Sequence, residues 1–132
     1  MSVTTVDAPA VLPDRIGRVL LALCAIATLG AFARGFTIMA EVSDERLITE
    51  AWRTFAYIVF AGLWVMIAVA PRAQRGVFEL LLVQKTAITV FALVVDDVPD
   101  AGMTAAVDAS LVIATAIAYV LCRGWQGWRT TR

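Results

Sequence analysis

Lys85 and Asp108 are ionisable residues set deep inside two long apolar stretches, where a charge is hard to accommodate. A lysine at the centre of a membrane span costs about 2.5–3.5 kcal/mol on insertion scales, so it calls for an opposite charge or a wet cavity. Counting inward from a shared boundary at ~1.5 Å per residue puts Lys85 about 15 Å deep and Asp108 about 8–10 Å deep. An extended lysine side chain bridges that difference. The pair can be a buried ion pair that fixes helix register. It can equally line a pocket for a polar head group, a proton or a substrate carbonyl. In a third reading Lys85 simply snorkels through a thinned bilayer. Gln84, Thr86 and Thr89 add polar character around it. Glu79 lies near the opposite end of the same stretch, one turn after Arg75, and should pair with Arg75 or Arg123. Its spacing from Lys85 puts the two on different helix faces, so no three-way cluster is expected. Tyr57 and Trp64 should pack in the interior, with an aromatic wall for a flat lipophilic ligand as the alternative. Lys85, Asp108, Glu79, Tyr57 and Trp64 are thus the candidate ligand-binding residues, and no residue stands out as catalytic.

The chain contains no histidine, which removes imidazole haem ligation, His-based zinc sites and His general bases. Cys24 and Cys122 fall within spans and form no CxxC, so neither a structural disulfide nor a thiol-redox role is expected. Glu41, Asp44, Glu45 and the Asp96–Asp100 turn could meet a divalent cation, but they lack the spacing of a calcium loop. A solvated acidic surface is the plainer expectation. No cofactor, metal site or nucleic-acid partner is implied.

These residues are positioned by apolar stretches long enough to cross a bilayer. Hydrophobic residues make up 61% of the 132-residue chain and charged residues 17%, against about 45–50% and 25% in soluble domains. The mean hydropathy is +0.82. The expected fold is an all-α integral membrane protein, a four-transmembrane-helix bundle with spans at about 16–34, 51–70, 76–95 and 101–122. Residues 1–13 read as a disordered tail, 14–128 as one membrane domain and 129–132 as a second tail. Gly35 to Thr49 should form a connection that could hold a short interfacial helix. Thr49 should cap the second span, with Glu50 in its first turn. Pro71 should end that span, and the short Arg72–Arg75 connection should make spans two and three antiparallel neighbours. Asp100 should cap the fourth span. Trp52 should mark one interface, and Trp125 and Trp128 should anchor the other.

Charge sign alternates between the connections. Arg15, Arg18, Arg72, Arg75, Arg123, Arg129 and Arg132 fall on one side. Glu41, Asp44, Glu45, Glu50 and the three aspartates of the turn fall on the other. By the positive-inside rule both termini are cytoplasmic, in a multi-pass protein of the cell (cytoplasmic) membrane. Arg18 should snorkel to one surface and Arg34 to the other. Arg15 and Arg18 before an apolar run, with Ala31-Phe32-Ala33 after it, also fit a cleaved signal peptide. A retained first span is preferred because three more follow.

Small residues recur at helical spacing: Ala101, Ala105 and Ala109; Ala114, Ala118 and Cys122; and Ala27, Ala31 and Gly35. Such ridges allow close helix approach, within the chain or toward a protein partner or second copy. The layout of four spans with an arginine just before the first (Arg15 or Arg18) resembles the DoxX-like small bacterial membrane proteins. That likeness implies a small membrane protein, in some members a subunit of a redox or stress-response complex. Small multidrug transporters fit less well, since they rely on a glutamate in the first span and this one has no acid. Three functions follow as expectations: an accessory subunit or scaffold of a membrane complex; a binder or transporter of a lipophilic small molecule using Lys85 and Asp108; or an intramembrane enzyme with Asp108 or Glu79 as acid or base. The first is the leading expectation and enzymatic activity the least expected.

Overall fold

The computed structural model describes residues 8–129, and within them every regular element is helical. Helix α1 spans Val11–Glu41, α2 Asp44–Val69, α3 Val77–Val94 and α4 Ala101–Leu121, and a short 3-10 helix η1 covers Gly124–Trp128. All four α-helices are long and apolar enough to cross a membrane. They run up, down, up and down, which brings residues near the two termini to one end of the bundle. There the Arg72 guanidinium donates to Asp14 Oδ1 (2.7 Å) and to the Cys122 carbonyl (2.8 Å). One side chain thus ties the start of α1, the α2–α3 connection and the end of α4.

The expected span centres hold, and the largest boundary correction is at α1. It begins at Val11 rather than near 16 and continues through Gly35 to Glu41. Pro13 falls in its first turn, where an amide proton has no intrahelical acceptor to lose. Helix therefore takes over the last residues of the expected tail, whose first seven lie outside the described residues. At the far end the connection predicted over Gly35–Thr49 shrinks to Val42 and Ser43. No proline interrupts the stretch, and Met39, Ala40, Glu41, Glu45, Arg46 and Leu47 are good helix formers. Ser43, not Thr49, is accordingly the residue before α2, and Glu50 sits two turns inside that helix. Asp100 does precede α4, but with φ 68° and no capping hydrogen bond from its side chain. Gly76 precedes α3 at φ 87°, a conformation natural to glycine, and the ring of Trp128 lies against it.

The core is a narrow seam of Leu21, Cys24, Trp64, Ile67, Phe78 and Leu81. Outward, Ile26, Val59, Leu80, Val83, Leu93 and Val120 are exposed. A water-facing bundle would reverse that balance; an apolar exterior suits hydrocarbon. α1 lies along both α2 and α4, and α3 lies along α4. Helices α2 and α3 are antiparallel and adjacent as expected, but they touch sparingly and a cavity separates them.

Close packing uses small residues where helices meet. A methyl group on Gly35 would collide with Thr54 of α2, and one on Gly17 with Cys122. Ala101, Ala105, Ala118 and Cys122 are buried as packing ridges of α4. The ridge predicted on α1 is corrected: Ala27 faces outward, and the working face is Gly17, Leu21, Cys24, Thr28 and Gly35. Arg18 does not simply snorkel. It donates to the carbonyls of Ala68 (2.6 Å) and Val69 (2.9 Å), oxygens left unpaired at the end of α2.

Candidate functional site

Helices α3 and α4 bring Lys85 and Asp108 together: Lys85 Nζ donates to Asp108 Oδ1 at 2.9 Å. The lysine side chain is 7% exposed and the aspartate 13%, so the pair is almost dry. Two aromatic rings of α2 complete the lysine's surroundings. Nζ lies 4.7 Å from the Phe60 centroid and 5.8 Å from that of Trp64. Aromatic faces attract a partly desolvated cation. Trp64 is fully buried, and its Nε1 donates to Thr115 Oγ1 at 3.0 Å. It is a core residue that touches the lysine, not a wall of the cavity.

The ion pair forms the floor of a cavity of about 530 Å³. That volume lies within the range of roughly 300–1,000 Å³ common for small-molecule sites. The cavity occupies the acidic end of the bundle, between α2 and α3, closed on one side by α4 and the Val98–Asp100 turn. Its two long walls differ. On α2, Arg46, Glu50, Arg53 and Tyr57 recur every three or four residues and form one polar face. On α3, Ile88, Phe91, Ala92 and Val95 form an apolar face at the same period.

The polar wall is internally organised. Glu50, whose side chain is 6% exposed, accepts from Arg46 Nη2 at 3.1 Å, and Arg53 Nη1 lies 3.7 Å from the same oxygen. Arg53 Nε donates to the Tyr57 hydroxyl oxygen at 2.9 Å. Tyr57 therefore lines the cavity as a polar group whose own hydroxyl proton is not used by Arg53.

Glu79 belongs to a different place, at the opposite end of α3. Its Oε1 accepts from Tyr119 (3.1 Å) and from Trp128 Nε1 (2.9 Å). Arg75, one of its two expected partners, instead lies over the Trp128 ring at 5.5 Å. Trp125 packs edge-on against Tyr119, so η1 is docked on the bundle rather than serving only as a membrane anchor. The five candidates thus split: Lys85, Asp108 and Tyr57 line the cavity, Trp64 supports the lysine from beneath, and Glu79 holds η1.

Sequence reasoning missed Arg46, Glu50 and Arg53 as a unit because it began the second helix after Thr49. The signal was present in their spacing, which aligns all three only if the helix starts earlier. Both cysteines are buried thiols, and no cluster of three metal-type side chains occurs among the described residues.

Fold and site together define a helical bundle of membrane-spanning dimensions, with one charged, half-apolar cavity at its acidic end. No family model matches the chain, and neither a curated protein nor a solved structure does.

Proposed function

We propose that the protein is a multi-pass protein of the cytoplasmic membrane, both termini in the cytosol, that binds a lipophilic small molecule with a polar portion. The carrying observation is that the Lys85–Asp108 pair, which links α3 to α4, also lines a cavity. A pair needed only for register gains nothing from the space beside it. The sparse contact between α2 and α3 adds a lateral route from hydrocarbon into the cavity. Lys85 Nζ retains donors beyond the one given to Asp108, so a carbonyl or hydroxyl reaching the floor finds a partner.

An accessory or scaffold role would draw on the small-residue ridges, with a protein partner or a second copy against them. Those of α4 pack within the bundle, so that reading has less support. The DoxX-like layout lends it span count alone. Intramembrane catalysis would need Asp108 or Glu79 as acid or base, and each carboxylate is already engaged by neighbours.

Protein purified in mild detergent should carry a lipophilic molecule detectable by native mass spectrometry. Ala56→Phe, which fills the cavity, and Lys85→Met should both lose it while keeping the helical content of the parent. Equal retention in both variants would defeat the reading.

A further inference from the structure

The cavity reading leaves open which chemistry the ligand carries at the mouth, and the donor inventory there is one-sided. Arg46 and Arg53 each hold five N–H donors and no acceptor. Arg46 gives one donor to Glu50, and Arg53 gives Nε to Tyr57. Both side chains are about half exposed, 58% and 45%, so their remaining donors face the cavity mouth and its surroundings. Tyr57, accepting from Arg53, still has a hydroxyl proton to offer. Of the acceptors, Glu50 is buried between the arginines and Asp108 is held by Lys85, while Asp100 remains at the mouth. Arg46, Glu50 and Arg53 together carry one surplus positive charge, on planar forks that match carboxylate and phosphate oxygens, although Asp100, which acts on Arg53, balances it over the whole lining.

One group opposes an anion here. Asp100 lines the same mouth, and Asp96 and Asp97 lie just beyond it on the acidic surface. Their field repels anions arriving from water. It acts less on the approach of a molecule that enters sideways from the bilayer between α2 and α3, and opposes the bound anion by either route.

We propose that the cavity takes an oxyanion-headed amphiphile from the membrane, with its carboxylate or phosphate on Arg46 and Arg53 and its apolar body along Ile88, Phe91 and Val95. The proposal rests on the cavity reading and names its ligand class. Arg53 and Phe60, the latter level with Lys85, are separated by two helical turns, about 10 Å along α2. A chain of that reach spans mouth to floor, and a longer one leaves through the α2–α3 seam.

The test uses full-length protein in nanodiscs of neutral lipid, with decanoate, decyl phosphate, decanol, decyltrimethylammonium and inorganic phosphate as probes. Decanoate and decyl phosphate should bind about tenfold more tightly than decanol, the scale of one charge-assisted contact. Decyltrimethylammonium should bind no better than decanol, and inorganic phosphate should neither bind nor compete. Arg46→Gln and Arg53→Gln should bring decanoate down to the decanol level while leaving decanol unchanged, and Arg46→Lys should recover part of the difference. Equal affinities for decanoate and decanol, both abolished by Ala56→Phe, would overturn the oxyanion assignment and leave the cavity reading standing. If Ala56→Phe alters the binding of no alkyl probe, the cavity reading itself falls. Competition by inorganic phosphate would refute the need for an apolar body. Mass spectrometry of the extracted protein then separates the two sources of this chemistry, a bilayer phospholipid or a free lipophilic acid.

Discussion

Lys85 is stabilised by three things at once: the Asp108 carboxylate, the Phe60 ring and the Trp64 ring. Truncating one member of a buried ion pair is costly, on the order of 3 kcal/mol, because the survivor is left without a partner. Lys85→Met should therefore destabilise the protein, and the double variant Lys85→Met/Asp108→Leu should regain most of the loss. Unfolding titrations in detergent provide the check; a double variant no more stable than the single one would contradict a pair that is mainly structural in cost. At this scale the Lys85–Asp108 contact was legible in the sequence. Each residue is conspicuous in hydrocarbon, and helical rise brings their depths within reach. The Tyr119 and Trp128 donors to Glu79 were not legible. Arg75 is closer in sequence, but the docking of η1 delivers Trp128 and Tyr119 instead, and no local rule anticipates where a tail folds back.

Helix contacts depend on where a side chain is missing. Gly35 of α1 lies against Thr54 of α2 with no room for a methyl group, whereas Gly30 and Gly62 have open space around them. Gly35→Ala should cost about 1–3 kcal/mol through overpacking. Gly30→Ala and Gly62→Ala should instead be neutral or stabilise by up to about 1 kcal/mol, since alanine is the better helix former. Thermal unfolding of the three variants side by side decides this, and a harmless Gly35→Ala would show that α1 and α2 meet elsewhere. Spans could be read from hydropathy because hydrocarbon length sets a threshold on apolar runs. Their ends could not. Beyond the bilayer core the polar residues of Gly35–Glu41 and Asp44–Glu50 are compatible with loop or helix. Misplacing the start of α2 hid the Arg46–Glu50–Arg53 face.

The whole molecule has two unlike ends. One is arginine-rich and fastened by Arg72 across three helices; the other is acidic and opens into the cavity. If the basic end is cytosolic, a cysteine placed at Val98 should react with a membrane-impermeant maleimide in intact cells. A cysteine at Arg129 should react only after lysis. The native thiols, 3% and 0% exposed, should stay silent in both cases. The reverse pattern would invert the topology and with it the membrane face at which a ligand enters. Hydropathy and charge order, both one-dimensional properties, were enough to determine the number of helices, their alternation and the sidedness expected of them. The tertiary structure alone decided that α2 and α3 part to leave a cavity and that two arginines and Tyr57 share one of its walls. It also decided that the lysine–aspartate pair is its floor. Those features depend on which helices touch and how closely. In a bilayer that follows from packing of small residues against their neighbours, and apolar patterning carries little record of it because lipid-facing and helix-facing positions are both hydrophobic.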